Sequence, residues 1–133
     1  MYISTEAAER IVREVSLAVD RPVNLMNDHG IIIASTDLSR IGTLHQGAYE
    51  SIRDNMDCLI VRSDSRIGIN IPIRFEGQIA GVVGIRGDAY EELNRYIRLI
   101  RTTAETLLRE SALHPLPSPE AAQDRLLKRI LFE

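Results

Sequence analysis

One cysteine, one lysine and no long apolar run: each scarcity removes a class of protein. Cys58 is alone among 133 residues, so it can close no intramolecular disulfide and build no cysteine-based metal cluster. It lies in an apolar run and reads as a small core residue. No stretch reaches the roughly 18 apolar residues of a membrane span. The N-terminus, Met-Tyr-Ile-Ser-Thr-Glu, has no basic region ahead of an apolar stretch, so no signal peptide is expected and a cytoplasmic location is. Basic residues never form a run and the net charge is -3, which argues against a nucleic-acid surface. Catalytic signatures are missing too. There is neither a Gly-x-Ser-x-Gly elbow nor a His-Glu-x-x-His pair. Ser35, Asp37 and His45 are the residue types of a hydrolase triad, but they fall in one short segment, and a triad is defined by geometry. The reading is of a protein that is not an enzyme, with no metal and no cofactor. Repeats and low-complexity tracts are also absent.

What is present is an ordinary soluble composition, 44% hydrophobic and 26% charged, of a length that makes one domain with one core. Lys128 is the only lysine and the other basic residues are arginines. Arginine grips carboxylates with two parallel hydrogen bonds, although a GC-rich genome would give the same bias.

Ser4 can cap a first helix with Glu6 in its first turn, and Ala8, Ile11, Val12, Val15 and Val19 follow at helical spacing until Arg21-Pro22. Val23 to Met26 and Ile31 to Ala34 read as a hairpin across Asn27-Asp28-His29-Gly30. Thr43 and Gln46 match a capping box for a short helix running to about Asp54. Cys58 to Val61 is a third strand, Arg62 to Arg66 a charged loop, and Gly68–Phe75 and Gln78–Arg86 two longer strands about a Glu76-Gly77 turn. Gly81 and Gly84 inside the last strand mark a close approach of another group. A long helix from about Tyr90 to Leu113 carries Leu93, Ile97, Ile100, Ala104, Leu107 and Leu108 on its apolar stripe. Residues 1–113 are thus expected to form a sensing domain. Residues 114–133 are expected to form a Pro-rich linker and the start of a further helical segment. This order predicts an α+β domain, an antiparallel sheet with helices packed on it, and no parallel doubly wound sheet.

The densest polar cluster runs from Ala34 to Ala48. It holds a fixed cation, Arg40, an imidazole, His45, and a hydroxyl, Ser35, with Gly42 just before a predicted helix start. Free N–H groups at such a start favour carboxylate or phosphate. A solvated loop that caps a helix would look the same. Asn70 is a polar residue in an apolar strand, able to present donor and acceptor to a ligand or to be satisfied by backbone. Pro72 two positions later asks for a sheet edge or a bulge.

Ala-Ser-x-Asp-x-x-Arg-Ile-Gly-x-x-His-x-Gly-Ala at Ala34 to Ala48 resembles the motif of the sugar diacid recognition domain. That domain is the N-terminal part of the carbohydrate diacid regulator family of bacterial transcription factors. Gly-Ile-Asn-Ile-Pro-Ile at Gly68 to Ile73 and Gly-Gln-Ile-Ala-Gly-Val-Val-Gly-Ile-Arg-Gly at Gly77 to Gly87 are similar to the same family, the final Arg-Gly standing where Thr-Gly is more usual. The resemblance spans about Ile3 to Ser111. It implies a PAS-like sensor fold, a five-stranded antiparallel sheet in the order 2-1-5-4-3 flanked by helices, with a long C-terminal helix. It implies recognition of glucarate, galactarate, glycerate or a similar acid. The long helix, with Leu99 and Thr103 outside its main stripe, is expected to pair with a copy of itself in a homodimer and to relay ligand occupancy. Ser35, Arg40, Ile41, Gly42, His45, Gly68, Ile69 and Asn70 would surround the ligand. Arg40 would be the charge partner, backbone N–H groups near Ile41 and Gly42 would hold a carboxylate, His45 and Asn70 would read hydroxyls or the other acid end, and the backbone near Ile69 would wall the pocket. DNA would be reached through a C-terminal helix-turn-helix that this chain does not carry. A dimerisation or partner-binding module without a small-molecule ligand is the alternative.

Overall fold

The computed structural model describes residues 1–113, so the expected linker and helical segment over 114–133 lie outside the described residues. The first helix, α1 (Thr5–Val19), starts where Ser4 Oγ accepts the Ala7 N–H at 3.1 Å. It stops before Arg21-Pro22, at Asp20, which turns left-handed (φ 51°) and donates its N–H back to Ser16. The buried residues of α1 are Ala8, Ile11, Val12, Val15 and Val19, the stripe that the spacing predicts.

Five antiparallel strands follow: β1 (Val23–Asn27), β2 (Ile32–Ser35), β3 (Leu59–Ser63), β4 (Arg66–Phe75) and β5 (Gln78–Gly87). Their order is β2-β1-β5-β4-β3, and the fold is an α+β, PAS-like one. The segment read as a charged loop, Arg62 to Arg66, is mostly strand. Ser63 pairs with Arg66 across a tight turn in which Asp64 has φ 50°, so β3 and β4 form a hairpin. Charge gave no strand signal there because β3 is an exposed edge strand. Pro72 lies past the end of β3, whose pairing on β4 stops at Asn70, and one residue before a register shift at Ile73/Arg74; its missing donor therefore leaves no ladder bond unmade.

Between β2 and β3 lies α2 (Gln46–Arg53), and after the sheet come α3 (Tyr90–Asn94) and α4 (Ile97–Leu113). The single long helix predicted from Tyr90 is thus two. The Tyr96 N–H bonds Leu93 O at 3.0 Å, a tightened turn at the point where Leu93 is buried hard against Gly87.

Strand alternation divides the sheet into two faces with different tasks. Ile67, Ile69, Ile71 and Ile73 of β4, Val83 and Ile85 of β5, and Val23 and Leu25 of β1 point to α1 and α4 and form the main core. Each such side chain contributes about 1.5–3 kcal/mol by leaving water. The alternate positions face α2. There a small dry cluster of Met26, Ile32, Ala48 and Val82 gives way, row by row, to polar residues and glycine.

Candidate functional site

The rows of that second face can be read from the register. One row runs Ser35, Asn24, Gly84, Asn70, Leu59 straight across all five strands. The next holds Arg86, Gly68 and Val61. Two rows with glycine at their middle positions leave a hollow, and an open cleft of about 1210 Å³ lies over them. Arg40, His45 and Gly47 from the β2–α2 segment close one side, and Ser16 to Pro22, from the end of α1, lie at another.

The segment before α2 is shaped by pairing rather than by a capping box. Thr43 O accepts the Ile32 N–H at 2.9 Å, Ile32 O accepts the Gly42 N–H at 2.8 Å, and Ile31 bridges Leu44. This extends the chain as far as Leu44 and covers the free edge of β2. Thr43 is therefore not the cap; its hydroxyl donates to Arg40 O at 2.6 Å. The cap is His45, whose Nδ1 accepts the Ala48 N–H at 3.2 Å. The expected free amides at Ile41 and Gly42 are likewise not free: Ile41 N–H donates to Leu38 O and Gly42 N–H to Ile32 O. The N–H groups without a partner among the described residues stand one turn later, at Gln46 and Gly47, the first two positions of α2.

Of the eight residues singled out by sequence, five line the cleft: Arg40, His45, Gly68, Ile69 and Asn70. Ile69 does so with its backbone, since its side chain belongs to the opposite core. Ser35, Ile41 and Gly42 are not in the lining. The Ser35 hydroxyl donates to Asn24 Oδ1 at 2.5 Å and accepts the Asp37 N–H at 2.9 Å. It orients Asn24, which does line the cleft. The triad reading fails on the same bonds. Ser35 is not joined to His45, and the Asp37 carboxylate accepts from Ser39 N–H and Oγ.

Asn70 is the unusual residue. It is 2% exposed, and its Oδ1 is buried with no hydrogen-bond partner among the described residues. Its amide sits against the first turn of α2, where a Cβ at Gly47 would come within 2.6 Å of Nδ2. Any larger residue there would push the Asn70 amide aside. Gly47, Asn24 and Arg86 also line the cleft and were not singled out by the sequence. The glycine in the first turn of a helix was the one available signal, because Asn24 and Arg86 join the site only through strand register.

His45 is half-buried, and burial holds its imidazole below the ordinary value of 6.5, with the positive charges of Arg40 and Arg86 acting in the same direction. The ring is therefore neutral at pH 7. With Nδ1 accepting from Ala48, its proton sits on Nε2 as a donor. The folded state holds this proton less tightly than the unfolded chain does. Its contribution to stability is thus complete above pH 6.5 and is lost as pH falls through the lowered folded value. His45→Asn keeps a capping acceptor but cannot titrate. Urea unfolding at pH 5.0 and 7.5 is expected to show a stability loss on acidification in the wild type and a smaller one in His45→Asn. An equal loss in both would place the titrating group elsewhere.

Arg40 makes no ion pair among the described residues, and neither do Arg66 and Arg86, while Arg21 is taken by Glu92. The cleft lining thus gathers unpaired guanidinium groups, two helix N–H groups without a partner, a neutral imidazole donor and, buried beneath its surface, an unsatisfied amide oxygen. That donor set suits an organic acid that also carries hydroxyls, since Asn70 Oδ1 can only accept.

Residues 3–130 match the protein family described as "Putative sugar diacid recognition". The chain belongs to the sugar diacid recognition family. It is 34% identical, over 98% of its length, to the carbohydrate diacid regulator of Escherichia coli K12, and the match covers 35% of that protein. The chain thus spans about a third of that relative. Among solved structures the domain resembles an IclR homolog from Microbacterium hydrocarbonoxydans complexed with 4-hydroxybenzoate, with a TM-score of 0.56, 15% identity, and 80% of this chain and 68% of that one covered. It also resembles the A. aeolicus nlh2 GAF domain, with a TM-score of 0.56, 12% identity, and 82% and 86% covered. At these identities the likeness speaks for the fold. No described helix of this family member is long and apolar enough to cross a membrane.

Proposed function

We propose that this domain is the ligand-sensing part of a bacterial transcriptional regulator and that it binds a sugar diacid or small hydroxy-carboxylate, such as glucarate, galactarate or glycerate, in the cleft over β4 and β5. The observation that carries this reading is Asn70. A buried amide oxygen left without a partner costs about 1–3 kcal/mol, and turning the amide to meet a ligand hydroxyl in the cleft would recover it. A carboxylate of the same ligand would lie at the open start of α2, against the Gln46 and Gly47 N–H groups and Arg40. His45 Nε2–H would donate to a second oxygen.

The reading includes a relay to the C-terminal helix. The far end of α2 is tied to α4: Arg101 donates to Asp57 O, just beyond α2, and Arg74, whose side chain donates to Asn55 Oδ1 at 3.0 Å, has its own N–H held by Glu105 at 2.7 Å. A ligand that pulls on the start of α2 would bias α4 through these bonds, provided it favours one arrangement over another.

Thermal melting with glucarate, galactarate, glycerate and glycolate tests both parts. An acid present at about 100 times its dissociation constant adds roughly 2.7 kcal/mol of stability. Arg40→Ala is expected to lose that gain while melting normally without ligand. Hydrogen exchange in α4 is expected to change in the wild type on addition of the stabilising acid. Stabilisation by none of these acids, together with self-association, would favour a dimerisation module instead. Leu99 on α4, 45% exposed, is the residue of that reading.

A further inference from the structure

We propose that Arg86 is a specificity-determining residue: it anchors the second charge of a two-ended acid and makes the cleft prefer dicarboxylates to the corresponding monocarboxylates. This rests on the site described above and goes beyond it by assigning the far end of the ligand.

Arg86 lies on the cleft face of β5 and is paired in register with Gly68, whose position is open: a Cβ there would meet nothing closer than 3.9 Å. The row holding Asn24, Gly84 and Asn70 lies beside it on the same face. A ligand seated on Asn70 therefore has a floor of glycine between itself and Arg86, with no side chain of β4 or β5 intervening. The arginine side chain, long and exposed, can fold over that floor. Among the described residues it has no ion-pair partner, although Asp88 follows two residues later on the cleft lining. Arg21, near the end of α1, is already taken by Glu92, and Arg66, also without an ion pair among the described residues, lies one row further from Asn70 than Arg86 does. Arg40 and the α2 N-terminus stand on the β2–α2 side of the hollow, whereas Arg86 rises from the sheet itself. A one-ended acid satisfies the first set and leaves the second cation unmatched. A dicarboxylate satisfies both. The exposed acids Asp20, Asp37 and Asp88 on the same lining raise the cost of a misplaced negative charge, so the arginines set where each carboxylate can lie.

The test is calorimetric binding of matched pairs, glucarate with gluconate and tartronate with glycerate, to the wild type, Arg86→Gln and Arg40→Gln. A charge-assisted contact of this kind corresponds to roughly 10- to 100-fold in affinity. The wild type is expected to prefer the diacid of a pair by about that factor. Arg86→Gln is expected to lower diacid affinity by that factor, to the level of the monoacid, and to weaken the monoacid far less, so that the preference between the two members of a pair disappears. Arg40→Gln is expected to weaken both members of a pair. Equal wild-type affinity for the two members, or an equal loss of both in Arg86→Gln, would overturn the role of Arg86 and leave the cleft as an acid site. Absence of binding by any of the four acids would overturn the site itself, and Arg86 with it.

Discussion

Asn70→Leu is expected to give a protein that is more stable when empty and deaf to every acid. Asparagine and leucine have similar shapes, so the substitution removes the buried oxygen that lacks a partner and fills the same space with apolar surface. The gain should be about 1–2 kcal/mol, which is roughly 4 °C per kcal/mol in the melting temperature of a domain of this size. The same change deletes the acceptor for the ligand, so the melting temperature should no longer respond to added diacid. The two effects together separate a binding residue from a structural one: an amide that merely held the fold together would lower the melting temperature when lost. A fall in melting temperature, or a ligand shift that survives, would count against the role given to Asn70.

The second large effect is expected at Gly81. A Cβ on this residue would stand 2.5 Å from the carbonyl oxygen of Met26 and 3.3 Å from the Ile3 side chain. The Met26 carbonyl belongs to β1, which is paired with β5 along its length, so it cannot retreat without disturbing that ladder. Gly81→Ala should therefore cost about 1–3 kcal/mol. Gly68→Ala, on the neighbouring strand, has open space before it and should alter stability by no more than about 0.5 kcal/mol. Urea unfolding of the two variants side by side provides the comparison. Equal losses would mean that strand propensity, and not the close approach of β1, explains the glycine at Gly81.

Much of the fold was legible because its signals are local. The α1 stripe, the Gly30 and Glu76-Gly77 turns and the isoleucine alternation of β4 each need only a few neighbouring residues. Glu76 and Gly77 both take positive φ, at 52° and 79°, as a tight hairpin turn demands. The misreadings came from competition with distant partners. Thr43 followed by Gln46 is a fair capping box, but pairing with Ile32 holds Thr43 extended and passes the cap to His45. Arg62 to Arg66 looked like a loop because an edge strand needs no apolar alternation. The cleft lining divided along the same line. Arg40, His45 and Asn70 could be named from residue type and motif. Asn24 and Arg86 could not, since nothing in a sequence says which residue of β1 will face which residue of β5. The free amides were placed one turn too early because their location depends on where the helix starts.

The sheet has consequences for how this domain can diverge. Neighbouring positions on β4 and β5 answer to separate demands. The isoleucines are bound by the need to fold. Residues 68 and 86 open on the hollow free of that packing demand, whereas Asn70 and Gly84 are also held by the first turn of α2 and by Met26. Under the proposed function, descendants of such a domain would retune the acid they bind by exchanging these alternate positions, while the backbone and the helices behind it are inherited unchanged.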